Sequence, residues 1–195
     1  MVEAALNLVR QKGAEALTAR ELADELGCSA RPIFTAFENM EDLKNEVRKA
    51  AHQLIHDYAN ESLEYSQSFK RMGMEIILFA SREPNLFKMI FMSSSNRPIS
   101  FSELFRLRTG HDTTFEDVIS EEYSITTRQA RYIFEHMWIY TYGIGVLSAL
   151  NQCHFSEEEL SNLLGGEFLS LLDYVRNNDI DRQLEIPEKV MAQYV

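Results

Sequence analysis

Leu17-Thr18-Ala19-Arg20-Glu21-Leu22-Ala23-Asp24-Glu25-Leu26-Gly27-Cys28-Ser29, followed by Ala30-Arg31-Pro32-Ile33-Phe34-Thr35-Ala36-Phe37, reads as two short helices joined by a tight turn. The Thr18 hydroxyl is placed to cap a helix opening at Ala19, and Glu21 stands where it completes a capping box. Gly27 ends that helix, because a residue without Cβ takes positive φ at little cost. Ser29 is placed to cap a third short helix carrying Ile33, Phe34 and Phe37. Ala23 is small enough for two helices to cross closely, and Leu22, Leu26, Cys28, Ile33 and Phe37 are the expected shared core. Upstream, Val2, Ala5, Leu6 and Val9 fall on one helical face, and Gly13 stops that helix. Together these elements spell a helix-turn-helix, whose second helix is offered to a DNA major groove. A helical hairpin that merely packs has the same small-residue spacing.

The rest of the chain continues in the same helical register. Asn39 opens a longer helix with Leu43, Val47, Ala50, Leu54 and Tyr58 at spacings of three and four, and a further helix carries Phe69, Met72, Ile76 and Phe79. Glu83-Pro84 begins another, with Leu86, Phe87, Ile90 and Phe91. Residues 93–98 are polar and read as a loop. Four more capping boxes stand at Ser100-x-x-Glu103, Thr113-x-x-Glu116, Thr126-x-x-Gln129 and Ser156-x-x-Glu159. Two long helices are expected over 127–150 and 157–176, and the tail after Asn177 is polar and broken by Pro187. With 8 Gly and 4 Pro, the chain is too poor in turn residues for a β-sandwich or barrel. The expected fold is all-α with about nine helices: a helix-turn-helix domain over 1–48, then a helical ligand-binding and dimerisation domain over 49–195.

Charge limits what this fold can bind. The 195 residues carry 19 Lys+Arg against 30 Asp+Glu, a net charge of −11. Such a chain repels nucleic acid as a whole, so any DNA contact must come from a local, oriented surface. Cys28 and Cys153 lack metal-ligand spacing and read as reduced thiols. Neither a signal-peptide pattern nor an apolar run long enough for a bilayer stands out, so a cytoplasmic location without membrane contact is expected.

The runs 4–13 and 17–29, with Ile33-Phe34-Thr35-Ala36-Phe37 and Glu41-Asp42-Leu43 after them, closely resemble the N-terminal domain of TetR-family repressors. The resemblance covers about the first fifty residues. Beyond them it is architectural, in Glu83-Pro84-Asn85-Leu86-Phe87 and in 138–143. It implies a homodimer that sets two recognition helices into successive major grooves of an inverted-repeat operator in double-stranded DNA, about 34–36 Å apart. It also implies that Thr18 meets a phosphate at a helix N-terminus. Ser29, Ala30, Arg31, Pro32 and Thr35 would face the groove. There Arg31 either reads a guanine bidentately or pairs with phosphate, and Pro32 or Ala30 touches a thymine methyl.

The chain also departs from that pattern. Phe34 stands where many members have a tyrosine, and Met40 where many have a lysine, each a lost phosphate contact. The basic arm that precedes the first helix in the family has no counterpart in this sequence. Through Lys49 there are seven basic and nine acidic residues, a net of −2. Lys44 and Arg48 are candidate replacement phosphate contacts, with Lys44 the one expected at the interface. Binding is expected to be weak or strongly salt-dependent.

In the second half, Met72, Phe79, Phe87, Phe91, Phe115, Phe134, His136, Met137, Trp138 and Tyr142 are the candidate lining of a pocket for a small, mainly apolar effector. Plain core is the commoner reason for aromatic residues at helical spacing. In the last helix Leu160, Leu164, Phe168, Leu171, Leu172 and Val175, around Gly165-Gly166, are the expected dimer interface. The family mechanism would be ligand-induced release of a repressor from its operator. Two other readings compete: a helical dimer acting through protein partners, and an enzyme. His52 and His56 stand at i, i+4, but Gln53 occupies the place where a zinc protease needs glutamate. No nucleophile elbow or phosphate-binding glycine loop is present. Neither a metal, a cofactor nor a catalytic residue is expected.

Overall fold

The computed structural model describes residues 1–62, 68–92, 103 and 115–180. Among them are nine α-helices and no strand: α1 (Val2–Lys12), α2 (Ala19–Glu25), α3 (Arg31–Ala36), α4 (Met40–Ser62), α5 (Ser68–Arg82), α6 (Pro84–Phe91), α7 (Phe115–Tyr123), α8 (Thr127–Ala149) and α9 (Glu157–Asn177). A single 3-10 turn at Ala14–Ala16 joins α1 to α2. The expected loop at 93–98, the capping serine and threonine at Ser100 and Thr113, the tail with Pro187, and the side chains of His56, Tyr58, Phe69 and Phe115 lie outside the described residues.

Local chemistry accounts for where these helices begin and end. Thr126 and Ser156 each accept from the amide three residues on, and Gln129 and Glu159 reach back to their amides, so both boxes are complete. Thr18 accepts from the Glu21 amide at 3.2 Å, but its box is left open. The Glu21 carboxylate instead takes Lys12 at 3.0 Å. Asn39 accepts from Glu41 and Asp42 at the start of α4. Past the end of α2, the Cys28 amide donates to Ala23 and the Gly27 amide to Asp24. That pair of bonds makes a Schellman turn, with Gly27 at φ 64°.

α5 lies at the centre. Every residue from Met74 to Ala80 is buried, as expected of a helix covered all round. It packs on α4, α6, α8 and α9. The one charge in that run, Glu75, accepts from Arg71 at 2.9 Å. α1 is wedged between α4 and α6, which explains why Leu8 is as buried as Ala5, Leu6 and Val9. α4 turns Leu43, Val47, Ala51 and Ile55 inward, so the stripe expected through Ala50 and Leu54 lies at its edge. This helix runs unbroken through position 48, where a domain boundary was expected.

Candidate DNA interface and effector cavity

α3 is six residues long and is pinned by Ile33, which is fully buried. Around that anchor Arg31, Pro32, Phe34 and Thr35 are all exposed, and Ala30 is half-buried. Pro32 sits in the first turn, where a missing amide costs nothing. The Thr35 hydroxyl donates to the Arg31 carbonyl at 3.0 Å, leaving its oxygen free to accept. Two expectations fail here. Ser29 does not cap α3; Ala30 holds that position without a side-chain bond. Leu26 and Cys28 are exposed rather than in the shared core, because the Schellman turn swings the chain outward directly after Leu22 and Ala23.

Charge is distributed unevenly over this region. Lys12 pairs with Glu21 at 3.0 Å, Arg48 with Glu41 at 2.8 Å, Lys49 with Glu46 at 2.7 Å, and Arg10 with Glu83 at 2.8 Å. Arg20, Arg31 and Lys44 make no ion pair among the described residues. Arg20 and Arg31 occupy the first turns of α2 and α3, where the helix dipole disfavours a cation. An anion placed there satisfies both the guanidinium and the helix end. Lys44 is half-buried and lines a cleft between α1, α4 and α6 with Lys12, Arg48 and Lys88. Thr18 is exposed at the head of α2, its oxygen already accepting the Glu21 amide.

The second half contains a cavity of about 200 Å³ between α5, α7, α8 and α9. Of the residues expected to line a pocket, Met72, Met137 and Trp138 do so. Phe79 and Phe87 are fully buried in the core, Phe91 and Phe134 nearly so, and none of the four reaches the cavity. Phe87 stacks on Phe91 with ring centres 4.7 Å apart, consolidating α6. Tyr142 is half-buried and donates to the Phe91 carbonyl at 3.1 Å. His136 faces solvent, with Nδ1 2.7 Å from the Tyr132 carbonyl and its ring stacked on Tyr132. Sequence reasoning missed Lys70, Gly73, Tyr123, Thr141, Gly165 and Leu169 in the lining. Two of them are glycines, and the other four come one each from α5, α7, α8 and α9, whose approach no linear pattern reveals.

The six residues expected at a dimer interface turn into their own chain. Leu160, Leu164, Leu171, Leu172 and Val175 are buried, and Phe168 packs with its ring tilted against Tyr123, ring centres 4.7 Å apart. Leu164 and Phe168 instead line the cavity. Leu163 and Gly166 of α9 and Ile139 and Gly143 of α8 are exposed, as is Leu150 directly after α8, and Leu169 is exposed although it also lines the cavity. Ile139 and Leu169 are the most exposed large apolar side chains among the described residues, at 63% and 65%.

Burial and the neighbouring Glu122 push the Tyr123 phenol up to about 12, so it stays protonated at any physiological pH. Among the described residues no three His, Cys, Asp or Glu side chains stand together as a metal site, and no helix is long and apolar enough to cross a membrane. His52 is half-buried on α4.

Residues 1–47 match the family model described as bacterial regulatory proteins, tetR family. No curated protein matches the chain.

Proposed function

We propose that this chain, a DNA-binding transcription regulator by the tetR-family domain in its first 47 residues, is a cytoplasmic homodimeric repressor released from an inverted-repeat operator by a small effector. The observation that carries the DNA reading is α3 itself. One buried anchor, Ile33, fixes a helix whose Arg31, Pro32 and Thr35 are exposed, and Arg20 and Arg31 stand in the first turns of their helices, against the dipole, with no ion pair among the described residues. Phosphates supply the missing anions, and the Arg31 fork suits guanine.

The dimer reading draws on the outward faces of α8 and α9. Gly143 and Gly166 are exposed, and a Cβ at either would meet nothing within 4 Å. Each weakens its helix by about 1 kcal/mol relative to alanine. Close approach of a second copy over Ile139, Leu163 and Leu169 gives those glycines a purpose. The cavity beneath α9 is the effector site, because a ligand there pushes on α5 and α8, against which α4 and α6 are packed.

Selection of bound fragments from genomic DNA at low salt tests the reading, with Arg31→Ala as control. Enrichment of a palindrome by wild type, lost in the variant, supports it. Indiscriminate binding by both proteins would overturn it and favour a helical dimer that acts through protein partners.

A further inference from the structure

The cleft between α1, α4 and α6 has a volume of about 560 Å³, inside the range of about 300–1,000 Å³ usual for small-molecule sites. Among the described residues that line it, Lys12, Lys44, Arg48 and Lys88 are cations and Glu15 is the one acid. Glu21 and Glu41 hold Lys12 and Arg48 at 3.0 and 2.8 Å, and even with them four cations meet three carboxylates. The chain as a whole is biased the other way, with 30 Asp+Glu against 19 Lys+Arg. Residues 93–102, which follow the lining residue Met92 in the chain, supply no Asp or Glu.

Lys44 and Lys88 make no ion pair among the described residues. Both are half-buried, so each has given up part of its hydration without an opposite charge in exchange. They come from different parts of the fold, Lys44 from α4 and Lys88 from α6, and α4 packs on both α1 and α6. Like charges gathered in one cleft repel each other, and an anion between them replaces that repulsion with attraction.

We propose that this cleft binds a small phosphorylated compound carrying two or more negative charges, with its phosphate groups on Lys44 and Lys88. Lysine ammonium groups serve phosphate as point charges, whereas the fork of Arg48, which would match a carboxylate bidentately, is already engaged by Glu41. Met89 and Met92 offer the ligand's organic body an apolar surface. Thr18, Arg20 and Arg31, the groups offered to a DNA backbone, stand at the heads of α2 and α3, and none of them lines the cleft. A ligand bound here ties α6 to α1 and α4. The site is separate from the cavity between α5, α7, α8 and α9 and does not rest on the effector reading of that cavity.

Isothermal titration calorimetry of the full-length protein with inorganic pyrophosphate at low salt tests the site, with sodium chloride of equal ionic strength as the blank. Saturable binding of one pyrophosphate per chain is expected. Lys88→Met should weaken it at least about tenfold, and Lys88→Arg should stay within about threefold of wild type. Lys49→Met removes an exposed cation that pairs with Glu46 outside the cleft, and should change the affinity by no more than about twofold. The absence of saturable heat with wild type, or equal losses in Lys88→Met and Lys49→Met, would overturn the site. Fluorescence anisotropy with a mixed-sequence DNA duplex then separates the two sources of phosphate. The slope of log affinity against log salt should be the same in wild type and Lys88→Met. A slope shallower by about 1 in the variant would place Lys88 on the DNA backbone and overturn the small-ligand assignment.

Discussion

Arg10 and Glu83 form a two-pronged clamp between α1 and the start of α6. Arg10 Nε donates to Glu83 Oε2 at 3.0 Å and Nη2 stands 2.8 Å from Oε1. One residue past Pro84, the Asn85 side-chain amide donates to the Arg10 carbonyl at 2.9 Å. The corner between α5 and α6 therefore holds the end of α1 by side chain and backbone at once. Glu83 is 11% exposed at its side chain against 31% for Arg10, so the carboxylate is the half that cannot return to water. Arg10→Met should lower unfolding stability by about 2 kcal/mol, less than for a fully buried pair because solvent reaches the arginine. Adding Glu83→Gln should recover part of the loss, which urea denaturation of the double-mutant cycle would measure. In the regulator reading the same variant should blunt effector release from DNA, because the clamp joins the sensor helices to α1.

Phe34 is 53% exposed on α3, an apolar ring where a hydroxyl would be useful. Phe34→Tyr should tighten operator binding by up to about tenfold through one added bond to a charged phosphate. Met40→Lys should steepen the dependence of log affinity on log salt by about 1. Fluorescence anisotropy over a salt series checks both, and no change in either variant would place these two positions away from the DNA backbone.

If the chain dimerises as proposed, Gly166→Leu should raise the dissociation constant by about tenfold or more, as for one obstructed helix crossing, and leave the helix content of the monomer intact. Sedimentation velocity over a concentration range tells the two forms apart. An unaffected dimer would move the interface off this face of α9.

Gly145 lies in α8 where a Cβ would come within 2.9 Å of Phe87 Cζ, and that ring is fully buried. Gly145→Ala gains helix propensity of about 1 kcal/mol but must displace the ring, at a cost of about 1–3 kcal/mol. A net loss of stability in chemical denaturation is expected.

Glu159 accepts from the Ser156 amide at 2.8 Å and from its hydroxyl at 2.9 Å, which holds the carboxyl below its usual range. A carboxylate depressed in the folded state stabilises it above the unfolded pKa, and that contribution is lost as pH falls through the folded one. Wild type should therefore lose more thermal stability than Glu159→Gln between neutral pH and about pH 3. Parallel melting curves for the two proteins would exclude the capping box as an acid-sensitive element.

Local residues set where most of the described helices begin and end, although Ser29 does not cap α3. Gly13, Gly27, Thr18, Thr126 and Ser156 act within a few residues of themselves, through φ and capping bonds, so their effect is written locally. The helix-turn-helix was legible for the same reason, since its turn and both its helices fall within one short run. Which side of each long helix faces what is settled by packing. A stripe such as Leu160, Leu164, Leu171, Leu172 and Val175 is equally apolar whether it meets its own chain or a second copy. The approach of α5 and α8 turned it inward and left Leu163 and Gly166 outside. The cavity between α5, α7, α8 and α9 is likewise a product of packing: Lys70, Tyr123, Thr141 and Gly165 come from four helices and share no sequence pattern. Periodicity fixes that a helix has an apolar face, but only the neighbours available in three dimensions choose its partner.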